Sequence, residues 1–350
     1  PIYPGQGGRH AFVLAEVLAK MGYKVDVIST FPINNPEKNK NYGHRLIAIE
    51  RIKSIRIIRV PSLKPTKPGI MRKLLFYFSF AFTSLLALPF IDNPDIIIGL
   101  HPPPPYLIFP SFVMSRLLNS KYVFRLTDFW PDVVFDFFKG RPFKFFITLV
   151  SRVMYCLSDH ILAFTPKIKE RLQKFGVPEW KISIIEIATD TNTFRPIPYI
   201  KKRAINLGFP DLTSRFLVFY SGAFALTYDF DILLEAAKIL EHNRVFLFAL
   251  LGDGDSRKYI MKKIKDMKLR NFLLLPPVSG PDQVAKYINC SDVCVVPLKA
   301  EMMTSMITRP SKTFEFWACG KPVICCSKGE LPKLIKESNA GIAIEPGDSM

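Results

Sequence analysis

The sequence lacks several features that mark large classes of proteins. It has only six cysteines, no two of them spaced as C-x-x-C, and its five histidines show no metal-ligand spacing. These absences argue against a disulfide framework and a structural metal, and they predict reduced cysteines in a cytosolic protein. Zinc-finger spacing, an RNA-binding signature and a low-complexity basic tail are also missing, so no nucleic-acid partner is expected.

Acidic residues are scarce relative to basic ones. The 350 residues include 48 Lys and Arg against 30 Asp and Glu, which gives a formal charge of +18. Such a surplus favours phosphorylated substrates, polyanions or an anionic membrane surface as partners. The apolar fraction of 49% and the 30 phenylalanines predict large cores with some lipid-facing surface, and the length is sufficient for two domains.

Residues 74–90 form a long apolar stretch without a charged residue. A membrane-spanning helix needs about 20 apolar residues, and Pro89 ends this run early. Three interpretations stay open: an interfacial helix, a buried core helix and a true span. Four basic residues precede the run and favour the interfacial helix, which would place the protein peripherally at the inner face of the cell membrane. A basic, aromatic helix at 141–157 extends the same surface. The four residues are Lys64, Lys67, Arg72 and Lys73.

Strand and helix patterns alternate in both halves of the chain. Residues 5–29 indicate a glycine-rich loop, a helix at 9–21 and a strand at 24–29, and the same rhythm restarts near residue 216. The pattern predicts an α/β fold with two Rossmann-like, doubly wound domains. The predicted boundaries are 1–196, a linker at 197–214, and 215–350. We expect the first strand and the C-terminal helices of the fold to be missing from the chain as given. Further predicted elements are strands 46–49 and 55–60 and a helix at 106–118.

Residues 308–324 combine a helix start suited to anions with a single carboxylate. Ser311 is the predicted N-cap and Gly320 the predicted stop. Free amide groups at such a helix start, with a nearby cation, can bind a phosphate. Glu315, one turn in, can accept hydrogen bonds from a sugar hydroxyl. From these residues alone, an ordinary surface helix remains an equal alternative.

The same stretch resembles the signature P-S-K-x-x-E-[YF]-x-A-x-G-K-P-V-I of family-4 retaining glycosyltransferases, in the branch that builds surface polysaccharides and lipid-linked glycans. The resemblance implies a GT-B fold, whose two domains face each other across a cleft, and it implies that Glu315 binds the donor ribose. Relatives often carry a second glutamate, which contacts the donor sugar, eight residues earlier; here that position is Ile307. The matching residues are Pro310, Ser311, Lys312, Glu315, Phe316, Ala318, Gly320, Lys321, Pro322, Val323 and Ile324.

Three further motifs of the N-terminal half resemble the same family. Gly7 and Gly8 match the loop that closes over the donor phosphates. The segment Asp128-Phe-Trp-Pro-Asp132 resembles the family's D-[LF]-W-P-[DE] motif, and the proline-rich segment at 101–104 resembles the S-P-P loop before it. The resemblance makes Asp128 a candidate catalytic residue together with Glu315. It assigns to the acceptor side His10, His101 and Trp130.

In the C-terminal half, the resemblance implies a nucleotide-binding set made of glycine turns and one loop. Relatives clamp the diphosphate with an Arg and a Lys after the first of these glycines, but residues 223–228 contain neither cation. Because a diphosphate needs fixed positive charge, Arg309, Ser311 and Lys312 are predicted to replace that pair. The predicted nucleotide-binding residues are Gly222, Gly252, Asp253, Gly254, Val278 and Glu315.

The family resemblance implies transfer of a sugar from a nucleotide diphosphate donor, with retention, to a lipid-linked or growing glycan acceptor. We expect no metal ion and no cofactor other than the donor itself. Two alternatives stay open. A nucleotide-sugar 2-epimerase uses the same architecture, and a non-catalytic membrane-associated or nucleic-acid-binding module would explain Ile307 and the missing cation pair.

Overall fold

The computed structural model of the chain describes residues 9–32, 42, 45–63, 70–100, 109–137, 140–198, 207–209 and 215–346. These residues fall into two compact units. The first comprises Pro1–Pro131, Gly140–Ala163 and Leu172–Ser183, and the second comprises Asp132–Lys139, Phe164–Arg171 and Ile184–Met350. Most of the predicted linker, residues 199–206 and 210–214, lies outside the described residues.

The elements alternate between strands and helices in both halves. The helices are α1 Arg9–Lys20, α2 Ile70–Ser84, α3 Phe109–Leu117, α4 Trp130–Phe137, α5 Arg141–Leu157, α6 Pro166–Lys174, α7 Asp231–Ile239, α8 Arg257–Asp266, α9 Pro281–Cys290, α10 Ser311–Ala318 and α11 Glu330–Ser338. The strands are β1 Val25–Thr30, β2 Ala48–Ile52, β3 Ile55–Val60, β4 Ile96–Leu100, β5 Lys121–Leu126, β6 His160–Ala163, β7 Ile182–Ile184, β8 Phe216–Ser221, β9 Phe246–Leu251, β10 Phe272–Leu275, β11 Val293–Pro297, β12 Val323–Cys326 and β13 Gly341–Ile344.

The first unit contains two sheets. One has the order β1-β3-β2, in which β1 and β3 are parallel and β2 and β3 antiparallel. The other has the order β4-β5-β6-β7, with β4, β5 and β6 parallel. Strand β3 is almost completely buried, because its apolar residues face cores on both sides of the sheet.

The second unit contains one parallel sheet with the order β10-β9-β8-β11-β12-β13. Successive strands progress outward from β8 in one direction and from β11 in the other. Such a reversal is a topological switch point, and open α/β sheets bind ligands outside the carboxyl ends of the strands at that point. The fold therefore locates the candidate ligand site of this unit between the loops after β8 and β11. Because strands and helices alternate in both units and most strand pairs are parallel, the predicted α/β fold class is confirmed.

Three predicted elements differ from the structure. The strand predicted at 46–49 begins two residues later, at Ala48, since it pairs with β3 from that residue onward. The helix predicted at 106–118 ends one residue earlier, at Leu117, and its first three predicted residues, 106–108, lie outside the described residues. The run at 74–90 divides into the end of α2 and a 3₁₀ turn, Leu85–Phe90, that contains Pro89. Among the described residues, none of the helices combines the length and apolar character that crossing a bilayer requires.

Helix α10 ends as predicted but begins differently. Ser311 is its first helical residue, and Pro310 holds the N-cap position with no side-chain cap bond, so the prediction of Ser311 as N-cap is wrong by one residue. At the other end, Gly320 has φ +70°. Its N–H donates to Trp317 O at 2.8 Å, and Lys321 N–H donates to Phe316 O at 3.0 Å. This pair of bonds is a Schellman motif and explains the stop at glycine.

Candidate functional site

Two loops lie next to each other at the switch point of the second unit. The loop after β8 and the loop after β11 are joined by backbone hydrogen bonds: Asp229 N–H donates to Pro297 O at 2.9 Å, and Lys299 N–H donates to Thr227 O at 3.0 Å. An isolated bridge between Tyr228 and Leu298 adds to this contact. Residues on either loop therefore face one common region at the edge of the sheet.

Three predicted nucleotide-binding glycines are packed against backbone or side-chain atoms. A Cβ at Gly252 would lie 1.9 Å from Gly222 O, and one at Gly254 would lie 2.7 Å from Phe224 O. A Cβ at Gly222 would lie 2.8 Å from Lys312 Nζ. All three have positive φ, between 137° and 153°. The structure thus brings these glycines together with Lys312, and only glycine fits each position.

Lys312 is buried in the first turn of α10, with 8% of its surface exposed. Its Nζ lies 3.9 Å from the ring centroids of both Tyr220 and Tyr228 and 2.5 Å from Tyr220 Oη. The Tyr220 hydroxyl donates in turn to Ala223 O at 2.7 Å. We call Tyr220 and Tyr228 the tyrosine cage.

The caged amine has no carboxylate at ion-pair distance among the described residues. Burial lowers the pKa of Lys312 well below its ordinary value, while the charge of Glu315 acts in the opposite direction. A buried cation is costly without a counter-charge, although aromatic faces offset part of that cost. The site is therefore suited to an anion that would supply the missing charge.

Glu315 is half-buried and lies one helical turn after Lys312 in α10. This spacing places the two side chains on neighbouring positions of one helix face. Ser311, at the start of the same helix, is also half-buried. The structure consequently brings together a glycine-lined turn, a buried amine and a carboxylate within one short segment of the second unit.

Arg309 differs from Lys312 because its charge is already matched. Its Nη1 lies 2.5 Å from Glu186 Oε1 and its Nη2 lies 2.8 Å from Glu330 Oε2, and only 5% of the Arg309 surface is exposed. Glu330 is itself buried, so loss of Arg309 would leave a carboxylate without its partner. The predicted contact of Arg309 with a diphosphate stays a prediction, and the structure adds a clear structural role.

The remaining candidates of the second unit lie on two other loops. Asp253 is exposed and its Oδ1 accepts a hydrogen bond from Gly254 N–H at 2.9 Å. Val278, after β10, is half-buried against the core that contains Phe316. Sequence reasoning missed the tyrosine cage. Tyr220 lies two residues before Gly222, but nothing in its local sequence indicates contact with Lys312, 92 residues away.

The candidates of the first unit follow β5. Asp128 is half-buried, and its Oδ2 lies 3.1 Å from the hydroxyl of Thr127, the residue before it. Trp130 begins α4, and its N–H donates to Tyr155 Oη at 3.4 Å. His10 lies in α1, and its side chain is outside what the structure describes. Also outside the described residues are Gly7, Gly8 and His101.

Comparison with protein families gives two matches that together span most of the chain. Residues 7–193, more than half of the chain, match the family model of Glycosyltransferase Family 4. Residues 215–350 match that of Glycosyl transferases group 1. The resemblance drawn from the sequence motifs is confirmed by these matches.

Individual relatives are distant. A putative colanic acid biosynthesis glycosyltransferase, WcaL of Escherichia coli K12, is 24% identical over 180 residues, which are 51% of this chain and 42% of WcaL. Among solved structures, sucrose-phosphate synthase from Thermosynechococcus elongatus is similar with a TM-score of 0.74 and 18% identity, covering 99% of this chain and 82% of its own. Anabaena HepE in complex with UDP-glucose has a TM-score of 0.62 and 16% identity, and the match covers 84% of this chain and 73% of HepE. These likenesses show that the chain has the GT-B type of fold.

Proposed function

Because the chain belongs to glycosyltransferase family 4, we propose that it transfers a sugar from a nucleotide diphosphate donor to a glycan acceptor. In the proposal the anomeric configuration is retained, no metal ion is required, and the acceptor is a lipid-linked or growing glycan of surface polysaccharide or glycoprotein synthesis. Two relatives support this choice: WcaL is a putative colanic acid biosynthesis glycosyltransferase, and HepE was solved in complex with UDP-glucose.

The observation that carries the proposal is the caged Lys312 at the switch point. Sugar transfer requires stabilisation of the departing diphosphate, and a preorganised cation in a water-poor site does this with little reorganisation. Lys312 lies against the Gly222 turn, where a larger residue would collide with its amine. The amide groups at the start of α10 add partial positive charge on the same side.

The remaining residues take roles consistent with this arrangement. Glu315 is proposed to accept hydrogen bonds from the ribose hydroxyls of the donor, since a half-buried carboxylate one turn from Lys312 can reach past the diphosphate. Asp128, in the loop after β5, is proposed to contact the substrate. With Ile307 buried at the position where relatives carry a second glutamate, the donor sugar is held by other groups.

The test is turnover of nucleotide sugars by the purified full-length protein with membrane extract. We expect release of a nucleoside diphosphate from a UDP-, GDP- or dTDP-sugar, and we expect EDTA not to reduce this release. Glu315→Gln should lower kcat/KM about tenfold or more, because it removes a charged hydrogen-bond acceptor. No release from any of these donors would overturn the proposal. Donor conversion without an acceptor would instead identify an epimerase, and salt-sensitive RNA binding without nucleotide binding would identify a non-catalytic module.

We also propose that the first unit binds the inner face of the cell membrane. Helix α2 and the turn after it expose Leu75, Phe78, Phe82 and Leu86, a stripe at intervals of three and four residues. Helix α5 exposes a second stripe, in which Phe145 is 72% and Phe146 60% exposed. Apolar stripes on a strongly basic chain are typical of helices that lie in an anionic lipid interface.

The membrane proposal predicts a specific loss of vesicle binding. Phe78→Ser with Phe82→Ser should reduce partitioning onto vesicles containing phosphatidylglycerol about tenfold or more, because two aromatic side chains no longer enter the lipid. Sedimentation with vesicles measures this. The matched control, Ile239→Ser with Ile342→Ser, changes two similarly exposed apolar residues of the second unit and should bind like the wild type. Equal binding by both double variants would contradict the proposal.

A further inference from the structure

The loop that follows β11 is fastened by a carboxylate from a distant part of the chain. Asp136 lies in α4, and its Oδ1 accepts a hydrogen bond from Met303 N–H at 2.6 Å. Its Oδ2 accepts from Thr304 N–H at 3.1 Å and from Thr304 Oγ1 at 2.5 Å. The bonded residues open the 3₁₀ turn Thr304–Met306, so Asp136 acts as a cap supplied from 167 residues away.

The other end of this loop is held as well. Thr165 Oγ1 donates to Ile307 O at 2.9 Å and accepts from Ile168 N–H at 3.2 Å. Met306 O packs so closely on Gly329 that a Cβ there would lie 2.1 Å away. Residues 303–307, which we call the latched loop, are thus fixed by contacts to three separate elements of the second unit.

The position of the latched loop gives these contacts a functional meaning. The latched loop follows β11, which ends at Pro297 at the switch point, and Arg309 comes two residues after it, shortly before Lys312. Ile307, its last residue, holds the position where relatives contact the donor sugar. The groups proposed for the nucleotide lie outside residues 303–307, on the Gly222 and Gly252 turns and in α10.

We infer that Asp136 is a positioning residue that holds the latched loop in the conformation required for the sugar portion of the donor. The inference rests on the proposed function. A loop between a strand and a helix samples many conformations unless specific bonds restrict it. Three bonds to one ionised carboxylate supply that restriction, since charge-assisted hydrogen bonds are about twice as strong as neutral ones.

The test compares Asp136→Asn with Asp190→Asn. Asp190 is the matched control, because it also accepts one backbone N–H, from Asn192 at 3.0 Å, and one threonine hydroxyl, from Thr193 at 2.7 Å, but caps a turn outside the site. Hydrogen exchange of peptides covering 302–308 should speed up about tenfold or more in Asp136→Asn, since the amides of Met303 and Thr304 lose a charged hydrogen-bond acceptor. The same peptides should exchange as in the wild type in Asp190→Asn.

Activity supplies the second readout. Asp136→Asn should lower kcat with the nucleotide sugar about tenfold or more, because a small misplacement of the reacting groups is costly, while the Kd for the nucleoside diphosphate changes less than about twofold. Unchanged exchange in Asp136→Asn would overturn the latch itself. Faster exchange with wild-type kcat, or equal losses in kcat and nucleotide affinity, would overturn the positioning role. A wild type that is inactive on every donor would overturn the proposed function and the positioning role with it. The exchange result would still show whether Asp136 holds the latched loop.

Discussion

Replacing Lys312 by methionine is expected to weaken nucleoside diphosphate binding about tenfold to a hundredfold, because a charged hydrogen bond to a buried phosphate oxygen is lost. The same change should leave the fold as stable as the wild type or more stable, by about 1 kcal/mol, since it removes a buried cation that has no carboxylate at ion-pair distance among the described residues. Methionine keeps the length and the apolar stem that fill the tyrosine cage. Weaker nucleotide binding together with unchanged or higher stability would show that the Lys312 amine serves the ligand and does not stabilise the fold.

The stability of the wild type should also depend on pH through this group. The pKa of Lys312 is lowered by burial, so between its folded value and about 10.5 the unfolded chain binds more protons than the folded protein. The free energy of unfolding therefore rises with pH between the folded and the unfolded pKa of Lys312. This stability is lost again as the pH falls through the folded pKa. Denaturant unfolding at several alkaline pH values should show this slope in the wild type and a flatter one in Lys312→Met.

Calorimetric titration with UDP, GDP and dTDP provides the binding readout for Lys312→Met. Lys336→Met is the matched control, because Lys336 is exposed in α11 and lies away from the cage. The control should bind each nucleotide like the wild type. Binding by Lys312→Met within twofold of the wild type for the preferred nucleotide would show that the buried amine does not contact the donor.

Gly252→Ala is expected to destabilise the second unit by about 3 kcal/mol or more and to abolish measurable nucleotide binding. The added Cβ would lie 1.9 Å from Gly222 O, a backbone atom that cannot turn away as a side chain can. To relieve this clash, the turns after β8 and β9 would have to separate. That separation would also move the Gly222 turn away from Lys312. The φ of +150° at Gly252 adds strain for any residue with a Cβ.

Gly280→Ala is the matched control for that prediction. Gly280 also has positive φ, +85°, but no atom lies within 4 Å of the Cβ position, so the change should cost only about 1 kcal/mol. Denaturant titration of the two variants and the wild type measures the difference, and nucleotide titration follows it in the native state. If both variants lost a similar free energy of unfolding, backbone strain alone would explain the glycine at 252, without close packing of the turns.

Much of the site could be predicted because its signals are local. Helix α10 with its stop at Gly320 and the glycine turns at 222, 252 and 254 all follow from residues close together in the sequence. The family resemblance rests on the same local motifs, and the family matches confirm it. Ser311 shows the limit of this reasoning, since a good capping residue became the first helical residue when Pro310 took the cap position.

The sequence by itself determined the α/β alternation, the order of the motifs and the family, because each depends on spacing between near neighbours. Only the tertiary structure decided what surrounds the charged groups. Arg309 pairs with Glu186 and Glu330, whereas Lys312 is enclosed by two tyrosines. Asp136 reaches a loop 167 residues away. Such contacts arise when the sheet brings distant loops to one edge, and burial there decides whether a cation is already neutralised or still suited to an anion.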